Sequence, residues 1–93
     1  MQCKLCKRQI LIGNESKHHL VPKSRGGSYG PTATLHEICH KQIHALFSDR
    51  ELAILYNDIN SLKDHRDVKR FIKWISKKPL EFNVKIRIRR KNR

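Results

Sequence analysis

Apolar residues recur at every third or fourth position through the second half of the chain, which is the spacing of amphipathic helices. The clearest pattern predicts a helix over 66–77, which ends before Pro79 because proline cannot continue a helix. Its apolar stripe consists of Val68, Phe71, Ile72 and Ile75. Its opposite side carries Lys69, Arg70, Lys73 and Lys77. We expect Phe71, and Trp74 at the edge of the stripe, to be core residues that brace the rest of the domain.

Shorter helices are predicted before this one. A helix over 39–47 is indicated by the apolar residues Ile43, Leu46 and Phe47. Ser48 and Glu51 have the spacing of a capping box, in which each side chain bonds the other residue's backbone, so a second helix should begin there. A turn of helix over 59–63 is also expected.

The first third of the chain and its last residues have the pattern of strands and loops. Residues 9–12 are β-prone and run into a glycine–asparagine turn, and 19–21 follows as a short second strand. Residues 22–34 are interrupted by glycine and proline, which predicts a loop. The tail over 80–93 alternates apolar with cationic residues, which indicates a final strand or a strand-prone arm that orders on DNA. The predicted fold class is α+β.

Charge is the strongest signal in the composition. The 93 residues include 21 lysines and arginines against 8 acidic residues, a net charge of +13 at pH 7. A chain this basic attracts polyanions, so nucleic acid is the leading partner and an anionic membrane surface the second. A merely solvated surface usually mixes both signs. One small domain is expected, and its hydrophobic core is limited enough to need additional stabilisation, such as a bound metal ion.

No apolar run approaches the ~20 residues that a bilayer span requires, and no signal peptide follows Met1. We therefore expect an intracellular, cytoplasmic protein with no membrane partner. Its 3 cysteines cannot all pair with one another, and a reducing compartment disfavours disulfides. Metal ligation explains the odd count better, because a histidine can supply the fourth ligand.

Two pairs of metal-ligating residues, each with two residues between its members, predict a structural zinc site. These ligands are Cys3, Cys6, His36 and Cys39. Paired turns with this spacing direct their side chains to a single point, as a closed tetrahedral zinc ion requires. His40 could replace His36, and the cysteines could instead be small buried residues. We favour the zinc site because Cys3 and Cys6 lie in a polar, lysine-rich turn.

The remaining histidines predict a second metal site. His40 and His44 lie four positions apart and would share one face of a helix. His18 and His19 are adjacent and would point to opposite faces of a strand, so one should hold the metal while the other faces a substrate water. A divalent ion beside a free imidazole suits phosphodiester hydrolysis, in which an imidazole removes a proton from water. The less favoured alternative makes all four of these histidines ligands in one or two structural zinc sites.

These residues resemble the HNH endonucleases of the His-Me finger, or ββα-metal, superfamily over residues 3–47. The run from His18 to Gly27 is similar to the opening of that motif, and the Cys39-His40 pair is similar to its close. The resemblance implies that His19 is the general base and that His18, His40 and His44 hold a catalytic Mg²⁺, Mn²⁺, Ni²⁺ or Zn²⁺. It departs at the family's middle asparagine, because 30–34 contains none; Thr32, Thr34 or a backbone carbonyl could take that place.

The resemblance implies one HNH nuclease domain over 1–93, made of a zinc knuckle and ββα-metal core (3–47), a helical extension (48–79) and a basic tail (80–93). The expected activity is cleavage or nicking of DNA with low sequence specificity, and RNA is the less favoured substrate. The candidate phosphate contacts are Lys23, Arg25, Lys85, Arg87, Arg89 and Arg90. The competing hypothesis is a non-catalytic zinc-ribbon module that binds nucleic acid, which would leave most of the histidines without a role.

Overall fold

Two antiparallel strands and the helix that directly follows them form the centre of the fold. The computed structural model describes residues 1–80 and 82. Strand β1 (Glu15–His19) pairs with β2 (Thr32–His36), with Glu15 opposite His36 and His19 opposite Thr32. Helix α1 (Glu37–Leu46) begins at the next residue. Alternate residues of β2, Ala33 and Leu35, are buried, as expected for a strand with one face on the core.

The predicted strand over 9–12 is wrong. Only Gln9 forms a bridge, to Gln2, and Ile12 is fully exposed. The backbone N–H of Ile10 donates to the carbonyl of Met1, so this segment wraps around the knuckle and does not join the sheet. The second strand was predicted too late, since of 19–21 only His19 lies in β1.

The predicted loop over 22–34 is shorter than expected, because β2 begins at Thr32. The loop contains a short 3₁₀ helix, Lys23–Arg25, which ends at Gly26 with a φ of 88° that favours glycine. A Cβ on Gly27 would lie 1.7 Å from the carbonyl oxygen of Val21, so only glycine fits there. The left-handed backbone conformation therefore explains Gly26, and tight backbone packing explains Gly27.

Three helices follow α1, close to the predicted positions. They are α2 (Asp49–Ile54), α3 (Ile59–Asp64) and α4 (Arg66–Ile75). The capping box is present as predicted: the backbone N–H of Glu51 donates to Ser48 Oγ, and the N–H of Ser48 donates to the Glu51 carboxylate. The structure confirms a small α+β fold.

Helix α4 closes the core from the C-terminal side. Val68, Phe71 and Ile75 are buried in one cluster with the cysteines and the apolar residues of β2 and α1. Trp74 is not a core residue as predicted, because it is 41% exposed and its ring instead faces Phe82 and the Lys78 ammonium. In the part of the chain that the structure describes, no helix is long and apolar enough to cross a membrane.

The Arg8 guanidinium ties the N-terminal turn to this helix. It donates to the carbonyl of Ile75, the last residue of α4, at 2.7 Å, and to the carbonyl of Lys78 in the turn that follows. The stability of the first ten residues and that of the last helix are therefore coupled. The predicted tail strand and its cations, Lys85, Arg87, Arg89 and Arg90, lie outside the described residues.

Candidate metal centres

The turn that carries the first two cysteines is closed by its own backbone. The N–H of Lys7 donates to the carbonyl of Cys3 and the N–H of Cys3 to the carbonyl of Arg8, both at 2.9 Å. Lys7 has a φ of 68°, which lets the chain reverse directly after Cys6. Both thiols consequently point inward, and the N–H of Lys4 donates to the carbonyl of Thr34 and joins the turn to β2.

The second pair of ligands lies where β2 becomes α1. His36 is the last residue of the strand and Cys39 lies in the first turn of the helix. The structure brings the two pairs together in a four-ligand cluster, which consists of Cys3, Cys6, His36 and Cys39. All members are buried, and their candidate ligand atoms lie within 4.8 Å of one another.

The spacing within the four-ligand cluster suits a tetrahedral zinc ion. Cys6 Sγ lies 3.3 Å from His36 Nδ1, and the Zn–S and Zn–N bond lengths give a tetrahedral edge of about 3.6 Å. The other ring nitrogen, His36 Nε2, lies 2.9 Å from the carbonyl of Gln9, which fixes the tautomer with Nδ1 free to coordinate. The cluster could therefore hold zinc, in agreement with the predicted ligand set and without His40.

The hydrogen bonds among the three thiols also favour the binding of a cation. Hydrogen bonds from Cys39 and Cys6 lower the pKa of Cys3 well below its usual range. The same contact with Cys3 raises the pKa of Cys39 and of Cys6, and burial raises both further. Hydrogen bonds within the cluster thus favour a thiolate, and a metal ion would take the place of the thiol protons.

The second group of ligands joins the sheet to the helix. His18, on β1, faces His40 and His44, which lie one turn apart on α1. The ring centroids of these residues, the three-histidine cluster, lie 4.8–5.4 Å apart. Their candidate ligand nitrogens also lie within 4.8 Å of one another.

His18 is the most unusual side chain in this cluster. It is 0% exposed, and neither ring nitrogen has a hydrogen-bond partner among residues 1–80 and 82. Burial, together with the charges of His40 and His44, lowers the pKa of His18 to about 3, so the ring is neutral near pH 7. A neutral imidazole with an unpaired nitrogen facing two others is the donor set that a divalent metal ion takes.

The geometry of His40 and His44 fits the same ion. Their Nε2 atoms lie 3.1 Å apart, close to the distance of about 3.0–3.4 Å between two nitrogens bound to one metal. His40 Nδ1 lies 2.6 Å from Ser16 Oγ. If this nitrogen carries the proton, Nε2 presents its lone pair to the cluster. Burial, followed by the charge of His44, lowers the pKa of His40 to about 4.

The Asp49 carboxylate lies beside His44, the third histidine of the cluster. His44 Nδ1 lies 4.0 Å from Asp49 Oδ1, and the Ser24 hydroxyl donates to the other oxygen of that carboxylate. A carboxylate behind a ligating imidazole orients the ring and raises its basicity. This contact also places the short 3₁₀ helix, and with it Lys23 and Arg25, beside the cluster.

His19 lies next to the three-histidine cluster but outside it. It is half-buried at the end of β1 and belongs to neither group of candidate ligands. Its charge nevertheless lowers the pKa of both His18 and His40, so the ring lies close enough to interact with the cluster. Thr32 is its direct partner across the sheet.

Sequence reasoning missed the groups that support the histidines: Ser16, Asp49 and the carbonyl of Gln9. For Ser16 a signal existed, because residues two apart on a strand share a face and His18 is two positions further on. Asp49 lies in a different helix from His44, and no sequence spacing relates them. Any residue supplies a carbonyl, so nothing in the sequence could single out Gln9.

The fold and the four-ligand cluster define a small α+β protein with a buried site that could hold zinc. No protein-family profile matches the chain. No solved structure matches it significantly either. One relative is the uncharacterized protein YisB of Bacillus subtilis (strain 168), 46% identical over 83 residues, which span 89% of this chain and 81% of the relative. The chain therefore belongs to the family of YisB.

Proposed function

We propose that this protein is a metal-dependent endonuclease or nickase of the HNH class, which hydrolyses phosphodiester bonds in DNA with low sequence specificity. The observation that carries the proposal is His18, which is fully buried against the rings of His40 and His44 and has no hydrogen-bond partner for either ring nitrogen among the described residues. His18 has an unliganded histidine, His19, as its neighbour in the chain. A metal site beside a free imidazole is the minimum that this chemistry requires.

The order of elements supports the same class. Strand β1 carries His18 and His19, β2 returns antiparallel to it, and α1 carries His40 and His44. This order of elements is compatible with the ββα-metal arrangement that the sequence resemblance implies, and it supports the proposal on that ground. The four-ligand cluster would then be a structural zinc site, because a buried tetrahedral set leaves no position for a substrate.

In the proposed reaction, His18, His40 and His44 hold Mg²⁺, Mn²⁺, Ni²⁺ or Zn²⁺. The ion would supply positive charge to the scissile phosphate and to the leaving oxygen. His19 accepts a proton from a water molecule. The oxygen of that water bonds to phosphorus, the bond from phosphorus to the leaving oxygen breaks, and the leaving oxygen takes up a proton.

Thr32 is the best candidate to replace the family's middle asparagine as the residue that positions His19. It lies directly opposite His19 in the register, on the same face of the sheet, whereas Thr34 pairs with Lys17. Its side chain is exposed, so it borders the region that a substrate would occupy. We propose that Thr32 restricts the orientation of the His19 ring.

DNA is the proposed substrate because the charge of the chain and the surroundings of the cluster favour a polyanion. The net charge is +13, and the short 3₁₀ helix with Lys23 and Arg25 contacts α2 through the hydrogen bond from Ser24 to Asp49. These cations would contact phosphates that flank the scissile bond, without reading the bases. The same interaction explains why low sequence specificity is expected.

A nicking assay on supercoiled plasmid tests the proposal. Zinc-loaded protein should nick the plasmid when one of the divalent ions is added. His19→Ala should bind DNA as tightly as the parent yet no longer nick it. His65→Asn, which keeps an N-cap acceptor for α4, is the matched histidine control and should nick normally. DNA binding without nicking by the parent, with every ion, would favour the non-catalytic zinc-ribbon module; cleavage of RNA alone would favour a ribonuclease.

A further inference from the structure

We propose that the exposed side of α4 is a second surface for the phosphate backbone of duplex DNA, apart from the three-histidine cluster. This basic face consists of Arg66, Lys69, Arg70 and Lys73 on α4, with Lys77 in the turn directly after the helix. The inference rests on the proposed function in one respect, since it takes DNA as the ligand. It requires no cleavage.

The basic face is continuous along the helix. At 3.6 residues per turn, its members fall within a stripe about 100° wide. Val68, Phe71 and Ile75 project from the opposite side and are buried in the core. Core packing therefore fixes the orientation of α4 and holds the cations together toward solvent.

The cations of the basic face have almost no internal counterions. Asp67 is the single acidic residue of α4, and it lies 4.0 Å from Arg66. Among the described residues, no ion pair involves Lys69, Arg70 or Lys73. One exposed lysine elsewhere does have a counterion, since Lys41 on α1 pairs with Glu37 one turn away at 3.9 Å.

The pattern of this face weakens the isolated helix. Like charges three and four positions apart repel each other, and Lys69 and Lys73 are such a pair. A solvated face that served only solubility would intersperse both signs and avoid the repulsion. An anionic partner removes the repulsion and gains from the high local charge.

Duplex DNA fits the basic face better than an anionic membrane does. From Arg66 to Lys77 the stripe is about 16 Å long, and one strand of duplex DNA presents a phosphate about every 3.4 Å along its axis. A helix that binds a membrane surface needs an exposed apolar side to insert. On α4 that side is buried, and Trp74 is 41% exposed but covered in part by Phe82 and Lys78.

The salt dependence of DNA binding tests this surface, because it counts the phosphates that a protein neutralises. The full-length, zinc-loaded chain would be titrated against a labelled 20-base-pair duplex by fluorescence anisotropy over a range of salt concentrations. No second divalent ion would be added, so that no cleavage is needed. The test variant is Lys69→Gln/Lys73→Gln. The control variant, Lys4→Gln/Lys41→Gln, removes the same charge from exposed positions on the knuckle and α1.

The test variant should bind more weakly than the parent, and its slope of log affinity against log salt should be shallower by about 1.8. The control should keep the parent slope. Circular dichroism would check that both variants remain folded. Equal changes in both variants, no change in the test variant, or weaker binding to vesicles of anionic phospholipid but not to DNA would each overturn the inference.

The inference and the proposed function fail separately. If the protein nicks DNA but the test variant keeps the parent slope, the basic face is not a binding surface and the nuclease proposal stands. If the predicted slopes are found but the parent never nicks, the surface stands and the nuclease proposal fails.

Discussion

Replacing His18 with leucine should make the protein more stable when no second divalent ion is added. Most buried polar residues stabilise a fold through their hydrogen bonds, but both ring nitrogens of His18 lack a partner among the described residues. Each unsatisfied group costs about 1–3 kcal/mol, so the two together cost about 2–6 kcal/mol. Leucine removes that penalty, and its imperfect fit returns at most about 1.5 kcal/mol. The net gain is therefore about 0.5–4.5 kcal/mol, and His18→Leu should raise Tm by at least about 2–4 °C.

A divalent ion should stabilise the parent more than it stabilises His18→Leu. Binding to the three-histidine cluster stabilises the parent by about 2.7 kcal/mol when the ion is at 100 times its Kd. His18→Leu leaves only His40 and His44 for the ion and should gain much less. The assay is thermal unfolding of zinc-loaded protein followed by circular dichroism, with Mn²⁺ titrated in. His19→Leu is the control, because His19 lies outside the cluster and its loss should leave the Mn²⁺-induced shift intact.

Two results would refute this reasoning. If His18→Leu destabilises the protein without added ion, the nitrogens of His18 are satisfied in solution and the donor set that we infer does not exist. If Mn²⁺ raises Tm equally in the parent and in His18→Leu, the ion binds elsewhere and the cluster has another role.

Three further predictions concern the rest of the fold. Removal of zinc with a strong chelator should unfold the protein, and so should Cys39→Ser. His44→Ala should remain folded by circular dichroism but lose nicking. Equal unfolding in all three cases would mean that the two groups of ligands form a single site. Arg8→Met removes the hydrogen bonds to the end of α4 and should cost about 1–3 kcal/mol in urea denaturation; an unchanged midpoint would contradict the coupling. Without added ion, the free energy of unfolding should fall from about pH 6.5 toward pH 3. Burial lowers the pKa of His18 to about 3 and that of His40 to about 4, so the unfolded chain binds more protons than the folded chain in this range. For His18 alone the loss is about 2 kcal/mol at pH 5, and acid titration of His18→Leu should give a flatter profile.

The ligand sets could be predicted from sequence because their spacing is local. Two residues between the members of a pair define a turn in Cys3–Cys6, and a separation of four defines one helix face for His40 and His44. Such spacings do not depend on the rest of the fold. The structure accordingly brings together each predicted ligand set as a group.

The strands were harder to predict because apolar alternation does not mark them clearly. The segment 9–12 is apolar enough for a strand, but its backbone bonds the N-terminal turn instead. β1 has polar residues at nearly every position, and its one buried side chain is His18, so apolar alternation could not reveal it. β2 did carry the signal of alternation in Ala33 and Leu35, which the preceding glycine and proline obscured.

The exposed fraction of a side chain on α4 depends on the residues that pack against it, and the sequence does not give their positions. Phe71 lies within the predicted apolar stripe and Trp74 at its edge; Phe71 is 6% exposed and Trp74 is 41% exposed. Phe71 packs into the core cluster, whereas Trp74 faces Phe82 and Lys78. Helical periodicity gives the centre of a buried stripe reliably and its edges poorly.

The most direct test of the two-site account is a crystal structure of zinc-loaded protein soaked in Mn²⁺, with anomalous scattering used to assign each ion. We predict zinc among Cys3, Cys6, His36 and Cys39. We predict manganese within bonding distance of His18, His40 and His44, with the ring of His19 uncoordinated and facing the space beside the ion. Manganese bound to His19, or no manganese at the three-histidine cluster, would contradict the account.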